Sequence, residues 1–468
     1  MKKKILVVLA TLLSFNYLAA LELVPTRELL ASYLEQDADL KNLTLEVQKA
    51  RLNQKSNLID KGLSIKLQTG DMTFTFGENN SFSVKPGVSA TIPQANNLGL
   101  NVSSQLSVND GKTSFDSASA TVSVDIISAN KANRDINLLQ QERKVLEAER
   151  SLTSKALDKE KSFYKSLSSL LNSITSVLSK KATVFDDNVA FEKIKLQGYD
   201  SSSASYVRAE LKYFSSQRDY EAAVHSLIHD YKSFYLDCGK EIEIPEDFDF
   251  TLLIPSDIEE VSPLDITSFD KNSYKEIEST EWSQKINQMN RDAATKLSLS
   301  ANGGYTYRNN NGKASNSLTA GMNATYEGLG LNANVNVPIS SGDPSLTLGI
   351  TLTPNTFKKN NISDQLEQIS IEQEAMKLDA AYSSYETTLR ERQLKLEDIL
   401  WNVKSNQTNY EMYVKVEESM KDYYKKGLVS EKEYSSAQNN TIQARVKQIS
   451  GYIDLIIYNN EVTAMFVE

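Results

Sequence analysis

The sequence predicts an α+β membrane protein built from two tandem structural repeats, each joining a set of β-strands to long α-helices. Apolar and small polar residues alternate with a period of two over 62–127 and again over 297–353, which is typical of strands. A long stretch without glycine or proline follows each set, at 129–196 and 355–426, and is typical of helix. The same order of patterns therefore occurs in both halves of the chain.

The first twenty residues have the pattern of a secretory signal peptide. Met1–Lys4 is basic, Ile5–Leu13 is apolar, and small residues end at Ala20, after which we expect cleavage. No later stretch approaches the roughly 20 apolar residues that a membrane-spanning helix needs. We therefore expect an exported chain in which any membrane-spanning part consists of strands.

The predicted organisation follows from these patterns and from internal similarity. Residues 98–101 and 329–332 are both Leu-Gly-Leu-Asn, and Gly198 and Gly427 each end a long helical stretch, which indicates duplication. Pro245 interrupts the pattern between the halves. The segments are a signal peptide (1–20), a first repeat (21–236, with strands 62–127 and long helices 128–236), a linker (237–262) and a second repeat (263–468, with strands 297–353 and long helices 355–466).

Composition excludes several classes of function. The chain has 61 Asp+Glu against 51 Lys+Arg, a formal net charge of −10, which argues against a nucleic-acid partner. Cys238 is the single cysteine, so neither a disulfide framework nor a multi-cysteine metal site is expected. His225 and His229 have the i, i+4 spacing of metal ligands but no third ligand in a suitable place. We expect no catalytic residues, no metal and no cofactor, and hence no enzyme.

Apolar residues in the first long helix follow two neighbouring heptad rows. A helix with two such rows is expected to contact neighbours on both sides, as in a ring or bundle of helices. The second long helix carries a similar row. The three rows are Phe163, Leu167, Leu170, Ile174 and Val177; Leu157, Tyr164, Leu171 and Leu178; and Leu389, Leu396, Val403 and Tyr410.

The alternating strands fit an outer-membrane β-barrel, with one face toward lipid and the other toward water. A soluble antiparallel β-sandwich, in which one face of each sheet is exposed to solvent, would give the same alternation. This alternative stays open at the level of sequence. Unpaired strand edges cannot lie in lipid, because each unsatisfied backbone group costs several kcal/mol there. If one chain has too few strands to enclose a channel, several copies must close it together.

Residues 423–430, Tyr-Tyr-Lys-Lys-Gly-Leu-Val-Ser, resemble the tip motif of the TolC-like outer-membrane efflux proteins, also called outer membrane factors. A weaker copy begins at Gly198, with one extra residue after the glycine. The resemblance covers essentially the whole mature chain. It implies a homotrimer in a diderm bacterium, whose strands share one outer-membrane β-barrel and whose helices continue as a long periplasmic α-helical barrel.

The resemblance also implies partners and site residues. An inner-membrane pump would deliver substrate, and a periplasmic adaptor protein would contact the tips, which comprise Gly427, Leu428, Val429, Ser430, Gly198 and Tyr199. Two acidic residues line the periplasmic entrance in the family. The matching positions are Glu433, which keeps the charge, and Ser436, which does not. From the residues alone, a plain helix cap at the tip and a solvated Glu433 stay open as alternatives, and the adaptor contact is favoured for the second tip.

The expected function is a passive exit duct in a tripartite efflux or type I secretion system. The alternative is a non-transport surface or periplasmic structural protein, adhesin-like, with coiled-coil stalks and β-heads. A tip motif in each half favours the duct, since a stalk needs no matched turns.

Overall fold

The computed structural model describes residues 23–60, 62–75, 81–109, 111–245, 248–294, 296–310, 312–340 and 342–467, so the expected signal peptide lies outside the described residues. Within these ranges, no helix is both long enough and apolar enough to cross a membrane. The helices and strands are α1 (Thr26–Gln36), α2 (Ala38–Asp60), β1 (Ser64–Gln68), β2 (Met72–Thr75), β3 (Ser81–Val84), β4 (Gly87–Ile92), β5 (Leu98–Asn109), β6 (Lys112–Ile127), α3 (Asn130–Leu196), α4 (Ala204–Asp237), α5 (Lys275–Ala293), β7 (Leu297–Asn310), β8 (Lys313–Tyr326), β9 (Leu329–Pro338), β10 (Ser345–Leu352), α6 (Pro354–Lys425) and α7 (Glu431–Thr463).

The two long stretches without glycine or proline are each one continuous helix, α3 and α6, as the sequence predicts. The second repeat was expected to begin at residue 263 with a helical segment before its strands, but the helix α5 begins only at Lys275. Asp265 and Asp270 each accept a backbone N–H two residues on, from Thr267 at 2.9 Å and from Asn272 at 3.0 Å. These local bonds give short 3-10 turns in place of α-helix.

The chain packs as two compact units. The helical unit consists of the described part of Met1–Asn42 together with Thr153–Phe269 and Leu389–Met465. The sheet unit consists of the described parts of Leu43–Leu152, Asp270–Thr388 and Phe466–Glu468. Each unit has its own packing and is described separately.

The heptad rows of α3 form the core of the helical unit. Phe163, Leu171 and Ile174 are almost completely buried. The ring of Phe163 lies 5.7 Å from that of Tyr33 and 5.1 Å from that of Phe234, measured between centroids. The first row is therefore covered by helices of the same chain, whereas Leu157 and Tyr164 of the second row are only partly buried.

A cluster of ion pairs joins α3, α6 and α7 in the helical unit. The carboxylate of Glu461 accepts from Lys161 at 2.6 Å, from Lys395 at 2.8 Å and from Arg392 at 2.5 Å. Burial alone would favour the protonated acid, but the three cations outweigh it and lower the pKa of Glu461 to about 2. Glu461 is thus ionised at any physiological pH and holds the three helices together.

The sheet unit contains one antiparallel sheet that is eight strands wide. Its order is β1-β4-β5-β6-β7-β8-β9-β10. The hairpin β2–β3 continues β1 and β4 along the strands, because β3 and β4 pair with successive parts of β5. Among the described strands, β1 and β10 lie at the two edges and each pairs with a single neighbour, β4 and β9 respectively.

Candidate functional site

One face of the sheet is apolar across its whole width, and it is exposed. Leu348 and Ile350 are 69% and 75% exposed, and Val335 is also exposed. Such a continuous apolar surface marks contact with another molecule or with a membrane. One row that crosses all eight strands in register consists of Ile65, Ala90, Leu100, Val122, Gly303, Ala320, Val335 and Leu346.

The opposite face of the sheet is polar and uncharged through its middle. Asn302 and Asn334 approach each other over Gly321, where a Cβ atom would meet the amide oxygens of both. Glycine at this position therefore makes room for two amide side chains. The row next to the apolar one contains no charged residue and consists of Ser64, Thr91, Gly99, Ser123, Asn302, Gly321, Asn334 and Thr347.

Charged side chains cluster near the ends of the long strands. Near the start of β7, Lys296 pairs with Glu327 at 3.1 Å and with Asp364 at 3.4 Å. Lys313 begins β8 at the opposite end. The apolar face of β7 runs from Leu297 to Tyr307, a path of about 33 Å at roughly 3.3 Å per residue. A strand tilt of about 45° reduces this height to roughly 23 Å, close to the apolar band of outer-membrane barrels.

The second tip of the helical unit is a tight turn between α6 and α7. Gly427 has a φ of 67°, a left-handed conformation that favours glycine. The N–H of Gly427 donates to the carbonyl of Tyr424 and the N–H of Leu428 donates to that of Tyr423, both at 2.9 Å. This pair of bonds is the Schellman motif, which satisfies carbonyls at the end of α6.

The returning helix α7 begins with a capping box. The hydroxyl of Ser430 accepts the N–H of Glu433 at 3.3 Å, and the Glu433 carboxylate accepts the N–H of Ser430 at 2.7 Å. Hydrogen bonds from the Ser430 backbone and hydroxyl lower the pKa of Glu433. The predicted cap at Ser430 is confirmed. The reciprocal role of Glu433 was not predicted, although Ser-x-x-Glu is the signature of a capping box.

The first tip, between α3 and α4, has a longer turn. Gly198 has a φ of 75°, and its N–H donates to the carbonyl of Lys195 at 3.0 Å. Asp200 accepts the N–H of Ser202 at 2.8 Å, and Ser203 caps α4. The cap lies five residues after Gly198 but only three after Gly427, so the extra length is two residues and not the one that the sequence suggested.

Most of the predicted site residues lie on the surface. Leu428 is 68% exposed, Tyr199 is 48% exposed and Ser436 is exposed, whereas Val429 is partly buried. Lys432, at the start of α7, pairs at 2.9 Å with Asp186 on α3. The returning helix of the second tip therefore begins beside the helix that leads to the first tip.

Replacing Ser430 with alanine is expected to destabilise the first turn of α7 by about 1 kcal/mol, because the N–H of Glu433 loses its acceptor. Hydrogen exchange measures this as roughly fivefold faster exchange of the Glu433 amide. Ser436→Ala is the matched control, since Ser436 is exposed and lies one turn further along. Equal exchange in the two variants would contradict a stabilising cap.

The histidines and the cysteine that the sequence offers as metal ligands or nucleophiles lie in surroundings that do not favour either role. Within the described residues, no group of three or more His, Cys, Asp or Glu side chains is placed to hold a metal ion. His225 and His229 are exposed. Cys238 is fully buried, and its burial beside Asp237 raises the pKa of the thiol to about 12, which makes it unreactive at neutral pH.

Two family models match consecutive parts of the chain. The TP096X N-terminal domain matches residues 29–258, and the TP096X C-terminal domain matches residues 259–468. No match is found among curated proteins.

Solved structures that match the chain cover nearly all of it. A membrane protein from Pseudomonas aeruginosa is 13% identical, with a TM-score of 0.47, covering 95% of this chain and 90% of that one. The outer membrane protein VceC from Vibrio cholerae is 11% identical (TM-score 0.46; 95% and 97% covered). The Campylobacter jejuni CmeC outer membrane channel is 14% identical (TM-score 0.45; 94% and 86% covered).

Proposed function

We infer that this chain, which carries the N-terminal and C-terminal domains of the TP096X family, forms the outer-membrane exit duct of a tripartite efflux or type I secretion system. The duct conducts passively what an inner-membrane pump and a periplasmic adaptor deliver. The observation that carries the proposal is the sheet, with one exposed apolar face and an opposite polar face that is uncharged through its middle. That combination is the pattern of a barrel wall in an outer membrane.

The two open edges of the sheet support a homotrimer. In lipid, the free backbone groups of β1 and β10 must be paired, because each unsatisfied group costs several kcal/mol. Pairing β1 of one copy with β10 of the next satisfies both edges, and a closed ring of copies leaves no edge. Three copies are the number that the sequence resemblance implies.

Exposed apolar rows on the helices support contacts between copies. In the sheet unit, Leu45, Leu52 and Ile59 follow one another at intervals of seven on α2, and all three are exposed. A second exposed row on α6 consists of Ile362, Leu366, Ile369 and Met376. Rows of this spacing pack against a partner helix. We propose that copies join along these rows and continue the channel as a helical barrel in the periplasm.

The tips are the proposed adaptor contacts. The exposed Leu428 offers an apolar side chain on a turn that the Schellman motif and the capping box hold rigid. We include Gly427, Val429, Ser430, Gly198 and Tyr199 in the same surface. Glu433 and Ser436 would face the periplasmic entrance, where three copies of Glu433 form a carboxylate ring that favours cations.

Recording from a planar lipid bilayer tests the duct. The purified protein is expected to give stepwise conductance, because a closed wall of this kind encloses water. The control is the same preparation denatured before addition. An adhesin-like structural protein would give no conductance, and this result would contradict the proposal.

A further inference from the structure

The width of the sheet points to an unusually wide channel. Each copy supplies eight strands side by side, and the three copies of the proposed function would supply 24. We propose that this 24-stranded wall encloses a lumen wide enough to pass a folded domain of about 100 residues. The inference rests on the proposed trimer and adds the size of the largest folded protein that could pass through the channel.

The dimensions follow from strand geometry. Neighbouring strands are about 4.8 Å apart, and barrel strands tilt by about 40°. Twenty-four strands then give a circumference of roughly 150 Å and a backbone diameter of roughly 48 Å. Side chains of about 5 Å on each side leave roughly 38 Å, whereas a globular domain of 100 residues is about 34 Å across. Closure of the eight strands of one copy would give only about 16 Å, which side chains fill.

Two neighbouring rows of the polar face line the middle of this lumen with short side chains that are uncharged on every strand except β1. The row through Asn302 and Asn334 contains only Ser, Thr, Asn and Gly. The next polar row consists of Lys66, Ser89, Asn101, Thr121, Gly304, Thr319, Asn336 and Ser345, and its one charge lies at the edge strand β1. Short neutral side chains neither attract nor repel a charged passenger, so size decides passage through this part of the duct.

Thiol labelling of the inserted trimer tests the width. Asn334→Cys places one thiol at the middle of the polar face, and the buried Cys238 stays unreactive. Two maleimides are compared, N-ethylmaleimide and a maleimide attached to a folded protein of about 75 residues, roughly 29 Å across. Lys313→Cys is the matched control because Lys313 is exposed at the hairpin end of β8.

The protein-linked maleimide is expected to label Asn334→Cys roughly 20-fold more slowly than Lys313→Cys, since the centre of a roughly 29 Å protein can reach only about one-twentieth of the cross-section of a roughly 38 Å lumen. If a particle of three chains is labelled at Asn334→Cys by N-ethylmaleimide but not by the protein-linked maleimide, the inferred width of the lumen is wrong. The proposed duct is unaffected by this result. If neither reagent labels Asn334→Cys, the polar face does not meet water, and both the duct and the inferred lumen are wrong.

Discussion

Val335→Arg is expected to destabilise the membrane-inserted protein by about 2–4 kcal/mol, a loss of roughly 30- to 1,000-fold in the folding equilibrium. Val335 lies in the middle of the exposed apolar face, where arginine would place a charge in the hydrocarbon core. Unfolding of the protein from liposomes by guanidinium chloride measures the change.

Asn336→Arg is the control for that substitution. Asn336 is the next residue on β9 and points to the opposite face, opposite Thr319 and Ser345. Arginine there lies in a water-filled lumen and is expected to change the stability little. Equal losses for the two variants would contradict a sheet with one face in lipid, whereas a soluble sheet would tolerate Val335→Arg on its exposed surface.

Leu428→Asp is expected to abolish export while the trimer and its membrane insertion remain intact. Leu428 contacts the adaptor in the proposed assembly, and loss of a hot-spot contact at the centre of an interface costs about 2 kcal/mol or more, at least about 30-fold in affinity. Substrate efflux or secretion from cells measures the effect. Membrane fractionation and native electrophoresis measure insertion and assembly.

Asn440→Asp controls for the added negative charge. Asn440 is exposed on α7, about two turns beyond Glu433, and aspartate has nearly the same shape. Export at the normal level is expected for this variant. Normal export by Leu428→Asp, or equal loss of export in both variants, would exclude a specific contact at the second tip.

Much of the fold could be predicted because its patterns are long and local. The heptad row from Phe163 to Val177 predicts a buried helix face, and the residues of that row are buried. The alternation of β7 to β10 predicts four long strands with one apolar face, and the pairing registers agree with it. In both cases the repeating side chains decide the structure, so the sequence alone carries the information.

The elements that sequence analysis missed depend on single residues. Asp116 forms a bulge in β6, where Leu106 pairs with Phe115 but Gln105 pairs with Ser117. The bulge shifts the alternation by one residue, so the alternation of β6 is regular only from Ala118 to Asp125, where a second register shift follows. One inserted residue in a strand leaves no repeating signal, and only its neighbours reveal it.

The number of strands side by side in the wall also could not be predicted from the sequence. β3 and β4 are separate apolar segments in the sequence, yet both pair with β5. The two segments therefore occupy the same position in the strand order of the sheet. Which runs share a neighbour depends on long-range pairing, which alternation does not encode. At the second tip, by contrast, Ser430 and Glu433 are three residues apart, and their capping box could have been predicted.

Closure of one wall by three copies is tested most directly by the mass of the purified particle in detergent. Native mass spectrometry removes the detergent and counts the chains. Three chains per particle, with conductance from the same preparation, is the predicted result. A particle that contains a single chain and encloses no water would contradict a shared wall.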